Sequence, residues 1–313
     1  MRIGFFGTPA VAAEYLEALA AEHEVVQVVT QPDRPAGRSG TARPSPVKRV
    51  ALSLGLPICQ PESGECGQAC GRLDELGAQL CVVVAFGQRL PCGPLPCSVG
   101  RCVNVHYSLL PRLRGAAPVQ HAILQGLETT GVTVQYVAPG WDEGDILLQQ
   151  ALDIAAADTC GTLTARLTRI GTQTLLEAIA AIADGTARRT PQDHSQATFA
   201  PLIHSQDAEL DWTQDAKRLE RQVRAYNPWP GAFTHVGGKR LKILTASAQI
   251  SSGKEEGEAG EVVELPCDGG FAVQCGSGRL WLHQVQAAGK QPMTAEEYLR
   301  GARLTVGTKL GCK

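Results

Sequence analysis

The chain opens on the stretch Arg2-Ile3-Gly4-Phe5-Phe6-Gly7-Thr8-Pro9, an apolar run that ends in a glycine and a proline. A short apolar run of this kind predicts a buried strand, and the residues that follow it predict a helix. We expect Thr8 to cap that helix and Pro9 to occupy its first position. A second apolar run, Val25–Thr30, completes a strand-helix-strand unit. Such a unit is typical of a parallel sheet covered by helices.

The same alternation continues through the first half of the chain. Further strands are predicted over Leu80–Ala85, Arg101–Val105, Val132–Val137 and Ile146–Gln150, and a long amphipathic helix over Thr162–Ala183. In sheets of this type, ligands bind beyond the carboxyl ends of the strands. We therefore expect the loops 7–9, 86–88 and 106–108 to converge at one ligand-binding edge.

A second domain is predicted after the helix. Residues 1–190 are assigned to a Rossmann-like α/β domain with a largely parallel sheet, and the irregular polar residues 191–206 to a linker. Residues 207–313 are assigned to a small OB-like β-barrel domain, because short apolar runs alternate there with glycine-rich turns. The strands predicted in it are Ala232–Val236, Arg240–Ala246, Gly260–Glu264, Phe271–Gln274 and Leu280–Val285. Thr294 and Glu297 have the spacing of a capping box for a last short helix.

Composition limits the classes of function. The 313 residues carry a formal net charge of −2, so nucleic-acid binding would need a local basic patch. Residues 31–49 supply one, with five basic residues against one acidic residue. No apolar run approaches the roughly 20 residues of a membrane span. The 11 cysteines lack the Cys-x-x-Cys spacing of a zinc site and no signal peptide is recognisable, so we expect a cytoplasmic protein with reduced thiols and no metal.

Two polar side chains stand at the end of the predicted strand Arg101–Val105. Asn104 and His106 are two positions apart, so on an extended strand they share one face. Taken alone, such a pair is more often a hydrogen-bonded strand end than a catalytic site. The turn Gly140–Asp145 adds carboxylates, and an amide, an imidazole and a carboxylate together can catalyse acyl transfer. Asn104 would donate to the developing oxyanion, with His106 as a second donor.

The longer segment Asn104-Val105-His106-Tyr107-Ser108-Leu109-Leu110-Pro111-Arg112-Leu113-Arg114-Gly115-Ala116-Ala117-Pro118 resembles the active site of the folate-dependent formyltransferases. The resemblance implies that a formyl group is transferred from 10-formyltetrahydrofolate to an amine, without a metal. The implied catalytic residues are Asn104, His106 and Asp142. Asp145 competes for the third role, but Asp142 holds the first acidic position of the turn, and Asp145 is expected to close it.

The resemblance also implies where the folate binds. The segment Ser108–Pro111 is expected to line the folate site, and the loop Ala85–Pro91 to offer backbone groups to the pterin. The residues implied to bind the folate are Phe86, Gly87, Leu90, Ser108, Leu109, Leu110 and Pro111.

Other stretches resemble the tRNA-directed members of this family, in order along almost the whole chain. They are Ile3–Pro9, Thr30–Arg38, Pro44–Lys48, Val84–Pro91 and Asn227–Gly231. The implied acceptor is the α-amino group of methionine on initiator methionyl-tRNA, and we expect the enzyme to be a monomer. Flexible basic segments can reach the phosphates and unpaired bases of RNA ends. The residues implied to bind the tRNA are Arg34, Arg38, Arg43 and Lys48.

Three alternatives are weighed against this interpretation. A sugar-nucleotide N-formyltransferase would use the same folate donor, but its substrate needs no long basic loop. A purine-pathway formyltransferase would leave the chain after about residue 200 unexplained. A non-enzymatic RNA-binding module would have no need of Asn104, His106 and Asp142 together.

Overall fold

The computed structural model describes residues 1–35, 41–62, 66–88, 90, 101–250, 257–265, 270–302 and 304–311. The chain divides into two units. The first comprises Met1–Pro118, Thr129–Asp153 and Thr164–Ala200, and the second comprises Val119–Glu128, Ile154–Leu163 and Pro201–Lys313.

The first unit is built on one large sheet. Its strands and those of a small separate ribbon are β1 (Arg2–Gly7), β2 (Glu24–Val29), β3 (Arg34–Pro35), β4 (Ala42–Arg43), β5 (Ile58–Cys59), β6 (Leu80–Val84), β7 (Cys102–His106), β8 (Thr129–Tyr136) and β9 (Ile146–Asp153). The sheet has the order β5-β2-β1-β6-β7-β8-β9, while β3 pairs with β4. Neighbouring strands from β5 to β7 are parallel, and β8 runs antiparallel to both of its neighbours. The prediction of a largely parallel, Rossmann-like sheet is confirmed.

The inner strands are buried along nearly their whole length. In β1 and β2 the first residue is exposed and the rest are buried, and every residue of β6 is buried. Continuous burial is expected of parallel strands whose two faces are both covered. One core cluster includes Phe6, Val29, Leu73, Val83 and Phe86.

The helices are α1 (Ala10–Glu22), α2 (Pro46–Ser53), α3 (Cys66–Glu75), α4 (Pro118–Gln125), α5 (Cys160–Ala183), α6 (Ala216–Ala225) and α7 (Ala295–Gly301). The predicted start of α1 was wrong. Pro9 is the N-cap residue, and in the described part of the chain no side chain caps this helix. The hydroxyl of Thr8 instead donates to the backbone oxygen of Phe86 at 3.1 Å. Thr8 therefore links the loop after β1 to the loop after β6.

The second unit contains an antiparallel sheet. Its strands are β10 (Phe233–Val236), β11 (Lys239–Gln249), β12 (Val262–Glu264), β13 (Phe271–Gln274), β14 (Arg279–Ala287) and β15 (Met293–Thr294). The order is β10-β11-β14-β13-β12, with β15 paired to β14, and the fold agrees with the predicted OB-like domain. Leu219 and Val223 of α6 pack in its core with Trp212 and Phe271. The capping box of Thr294 and Glu297 starts α7 as predicted.

None of the helices within the described ranges combines the length and the apolar character needed to cross a membrane.

Candidate active site

A cavity of about 120 Å³ lies in the first unit, where β6, β7 and β8 adjoin the turn that leads to β9. Its wall includes Val83 of β6, Asn104 of β7, Gln135 of β8, Leu90 and the turn residues 137–143. Asn104 reaches this position because it pairs with Val83 on one side and with Gln135 on the other. The predicted residues Asn104 and Asp142 thus share one cavity.

His106 lies on β7 two positions beyond Asn104 and is only 6% exposed. Its Nε2 atom lies 2.9 Å from the backbone oxygen of Leu113. Because a carbonyl oxygen can only accept, Nε2 must carry the hydrogen. The second ring nitrogen, Nδ1, lies 3.6 Å from Oδ1 of Asp142. This distance is longer than a good hydrogen bond, so Nδ1 lies beside Asp142 without being firmly bonded to it.

Both carboxylate oxygens of Asp142 accept hydrogen bonds. The backbone N–H of Gly115 donates to Oδ2 at 2.9 Å, and the side-chain amide of Gln135 donates to Oδ1 at 3.1 Å. Asp145 closes the turn instead, since its backbone oxygen accepts from the N–H of Tyr136 at 2.9 Å. Of the two aspartates weighed in the sequence, Asp142 is therefore the one that faces His106.

The turn that carries Asp142 depends on a glycine. A Cβ atom at Gly144 would lie 1.7 Å from the backbone oxygen of Tyr136, so a side chain cannot fit without moving the main chain. We expect Gly144→Ala to lower the free energy of unfolding by about 1–3 kcal/mol, as other overpacked sites do. Because the turn would shift, kcat should fall roughly tenfold through misplacement of Asp142. Urea unfolding and steady-state kinetics measure the two effects.

Gly71→Ala is the matched control for this prediction, because a Cβ atom at Gly71 in α3 would meet no atom within 4 Å. We expect that variant to keep the kcat of the unchanged chain and to be at least as stable, with a gain of up to about 1 kcal/mol, because alanine favours a helix over glycine. Wild-type stability in Gly144→Ala would contradict the close approach of the turn to Tyr136.

Three polar residues of this region were missed in the sequence. Gln135, 2% exposed, was interpreted only as part of a strand. Gln192, 6% exposed, lies in the segment predicted as a linker, yet its amide donates to the backbone oxygens of Asp142 at 2.9 Å and of Gly144 at 2.7 Å. Arg114, 2% exposed, donates to Gln192. The register that places Gln135 opposite Asn104 is visible only in the structure.

The loop after β6 presents Leu90 to the cavity. The ring of Phe86 is instead buried edge-on against Phe6, with 5.4 Å between the ring centroids. Its backbone oxygen accepts from Thr8 at 3.1 Å and from the amide of Gln31 at 2.9 Å. Gly87 has φ +77°, and a Cβ atom there would lie 2.7 Å from that amide. Phe86 and Gly87 thus shape the loop from which Leu90 reaches the cavity.

The segment Ser108–Pro111 forms a loop after β7 that is hydrogen-bonded to Arg112 and to residues of β8 and β9. The hydroxyl of Ser108 donates to the backbone oxygen of Arg112 at 2.6 Å. The N–H of Leu110 donates to Thr133 Oγ1 at 3.1 Å, and its backbone oxygen accepts from Gln149 at 2.9 Å. As far as the described residues form it, the wall of the cavity includes none of Ser108, Leu109, Leu110 and Pro111.

The residues predicted to bind tRNA lie around the β3–β4 ribbon. Arg34 and Arg43 are exposed and directly opposite each other on the two strands. Lys48 instead forms an ion pair with Asp33, with 2.7 Å between Nζ and Oδ2. The hydrogen bonds from Lys48 and Gln60 lower the pKa of Asp33 below its usual value. Arg38 lies outside the described residues.

Comparison with protein families places these features in a known group. Residues 1–179 match the formyl transferase family, and residues 202–303 match the formyl transferase C-terminal domain. The methionyl-tRNA formyltransferase of Moorella thermoacetica is 44% identical over 313 residues, which are 100% of this chain and 100% of that protein.

Solved structures share the fold at much lower identity. HypX from Aquifex aeolicus in complex with tetrahydrofolic acid has a TM-score of 0.64 and 18% identity, and the match covers 98% of this chain and 48% of that one. An N-formyltransferase from Helicobacter canadensis, in complex with folinic acid and dTDP-3-aminofucose, has a TM-score of 0.66 and 16% identity over 90% of this chain and 98% of that one. The full-length match at 44% identity and the two matched domains show that the chain belongs to the methionyl-tRNA formyltransferase family.

Proposed function

We propose that the chain transfers the formyl group of 10-formyltetrahydrofolate to the α-amino group of methionine on initiator methionyl-tRNA, and so supports translation initiation. It would act in the cytoplasm as a monomer. The main support for the proposal is that Asn104 and Asp142 line the same cavity and that His106 lies beside Asp142. The relatives named methionyl-tRNA formyltransferase support the acceptor. The family and its folate-bound fold relative support the donor.

The first chemical step is removal of a proton from the amine. A free α-amino group has a pKa of about 7.7–8.0 and is therefore largely protonated at neutral pH. The carboxylate of Asp142 receives that proton, directly or through one water molecule. The bonds from Gly115 and Gln135 hold this carboxylate in place.

The second step is attack of the amine nitrogen on the formyl carbon. The carbonyl oxygen of the formyl group then becomes a tetrahedral oxyanion. The side-chain N–H of Asn104 donates to this oxygen. The imidazolium form of His106, which carries a hydrogen on each ring nitrogen, supplies the second donor at Nδ1. When the intermediate collapses, the bond from the formyl carbon to the folate nitrogen breaks. That nitrogen takes up the proton held by Asp142, which returns to its carboxylate form. The attacking nitrogen, which became positively charged when the new bond formed, loses its second proton to water, so one proton is released to solvent and no metal is needed.

The cavity wall suits one end of a folate. Val83 and Leu90 give it apolar surface, and Trp141 lies on the wall with 67% of its surface exposed. An exposed indole beside a cavity is a surface on which a planar ring can stack. The proposal includes pterin binding by the loop containing Phe86, Gly87 and Leu90, and a folate-lining role for Ser108–Pro111.

Repulsion within the β3–β4 ribbon supports an RNA partner. Arg34 and Arg43 are direct cross-strand neighbours, and like charges in that position destabilise a ribbon. A phosphate between the two guanidinium groups would relieve the repulsion. Lys48 can join them only by leaving Asp33. Arg38, outside the described residues, is proposed to act in the same loop.

The double variant Arg34→Gln/Arg43→Gln should raise the KM for methionyl-tRNA about tenfold, because two phosphate contacts are lost. The KM for the folate donor should stay unchanged. Arg101→Gln is the matched control, since Arg101 is an exposed arginine just before β7, at the opposite end of that strand from the candidate site. An unchanged KM for tRNA in the double variant would remove the ribbon from substrate binding. Arg38→Ala is expected to act in the same direction as the double variant.

The acceptor is tested with purified protein and 10-formyltetrahydrofolate. Charged initiator tRNA and a nucleotide-linked amino sugar are offered in separate reactions, and the products are identified by mass spectrometry. We expect N-formylmethionine on the tRNA and no formylated sugar. Formylation of the sugar alone would establish the alternative function.

A further inference from the structure

A directed series of hydrogen bonds connects a buried cation to Asp142. Two guanidinium nitrogens of Arg114, Nε and Nη2, donate to Oε1 of Gln192 at 3.1 and 2.7 Å. The amide nitrogen of Gln192 shares its two hydrogens among three acceptors, and one of these is Oε1 of Gln135 at 3.2 Å. The amide nitrogen of Gln135 donates to Oδ1 of Asp142 at 3.1 Å. All of these bonds run in one sense, from the cation to the carboxylate.

The cation determines how both amides are oriented. A guanidinium group has donors and no acceptor, so the amide of Gln192 must turn its oxygen toward Arg114. Its nitrogen then faces Gln135, which in turn must present its oxygen. The nitrogen of Gln135 is therefore the atom that faces Asp142. A reversed amide would place an oxygen against the carboxylate, and the two would repel each other.

Gln192 also holds the main chain that carries Asp142. Its amide nitrogen lies 2.9 Å from the backbone oxygen of Asp142 and 2.7 Å from that of Gly144. Asp142 has φ +54°, a conformation that residues with a side chain rarely adopt and that surrounding contacts must maintain. One buried amide thus contacts the turn at two residues and, through Gln135, sets the orientation of the carboxylate.

We propose that Arg114, Gln192 and Gln135 are positioning residues that hold the carboxylate of Asp142 beside His106 during formyl transfer. The inference rests on the proposed function of Asp142 as the proton acceptor. It gives Gln192, within the predicted linker, a role in the reaction at the candidate site.

Gln192→Leu and Gln192→Glu test this role together. Leucine removes every bond that the amide makes. Glutamate still accepts from Arg114, but an ionised carboxylate cannot donate to Asp142, Gly144 or Gln135. We expect both variants to lower kcat for formyl transfer by about 10- to 100-fold, the range that misplacement of a reacting group produces. The KM values for tRNA and folate should change less than about twofold, because neither substrate touches Gln192 in the proposed arrangement.

These variants distinguish a role of Gln192 in positioning Asp142 from a role in stabilising the fold alone. If Gln192 served only to anchor Arg114, Gln192→Glu would keep the wild-type kcat. Because Gln192 acts in part through Gln135, the kcat loss in Gln135→Leu combined with Gln192→Leu should be smaller than the product of the two single losses. The matched control is Gln274→Leu, since Gln274 of the second unit is 1% exposed and also donates to two backbone oxygens. That variant should lower the Tm and leave kcat unchanged.

A wild-type kcat in Gln192→Leu or in Gln192→Glu would overturn the inference. So would a double variant whose kcat loss equals the product of the two single losses. If the wild-type protein formylates a different amine, the same comparison is made with that amine. The proposed acceptor is then wrong, while the ratio of the variant's kcat to the wild-type kcat still decides the role of Gln192.

Crystal structures provide a second readout besides activity. In Gln192→Leu the distance between His106 Nδ1 and Asp142 Oδ1 should exceed the 3.6 Å of the unchanged chain, and an unchanged distance would overturn the inference.

Discussion

Asp142→Asn is expected to lower kcat for formyl transfer by roughly 10²- to 10⁴-fold, the range for loss of a general base. Asparagine has nearly the shape of aspartate but cannot take a proton from the amine. It also fits poorly, because both carboxylate oxygens accept from donors, the N–H of Gly115 and the amide of Gln135. The amide nitrogen of an asparagine would have to face one of those donors. Single-turnover kinetics with saturating tRNA and folate measure the loss.

Asp145→Asn is the matched control, since it makes the same change three residues later in the same turn. Asp145 closes the turn through its backbone oxygen, which the substitution leaves in place. We expect kcat close to that of the unchanged chain. If Asp145→Asn lost activity and Asp142→Asn kept it, the third catalytic role would belong to Asp145.

Asn104→Ala is expected to lower kcat by roughly 10²- to 10³-fold, as removal of one oxyanion donor does elsewhere. Asn104 lies on the wall of the cavity, held there by its strand neighbours Val83 and Gln135. The substitution removes the donor and leaves the β3–β4 ribbon unchanged, so tRNA should bind with the same Kd. His106→Ala, which removes the second donor, should lower kcat by a similar factor while tRNA binding survives. Kinetics and tRNA titration on the same preparation measure both quantities, and equal loss of kcat and tRNA binding would indicate damage to the fold instead.

Much of the fold was predictable because its central strands are continuous apolar runs. The runs in β1, β2 and β6 are buried almost throughout, and burial of that kind leaves a clear pattern in a sequence. Thr8 shows where such prediction fails. Its hydroxyl was expected to cap α1, but it bonds to Phe86, 78 residues away. Local sequence gives no indication of a partner so distant.

The candidate site was likewise predictable only in part. Asn104, His106 and Asp142 were predicted because the segment around Asn104 resembles a known active site, and the structure brings the three together. Their roles in catalysis remain predictions. Gln192 was interpreted as part of a polar linker, since a glutamine among polar residues usually faces solvent. Its contact with Gln135 spans 57 residues, and its contact with Arg114 spans 78.

The central claim is that Asp142, with Asn104 and His106, transfers a folate formyl group to methionyl-tRNA. The most direct measurement is a single turnover with 10-formyltetrahydrofolate labelled in its formyl carbon, run with the wild-type protein and with Asp142→Asn. We expect the label to appear on the α-nitrogen of the tRNA-bound methionine, at a rate that falls at least roughly 10²-fold in the variant. Absence of label from the methionine, or an equal rate in the two proteins, would contradict it.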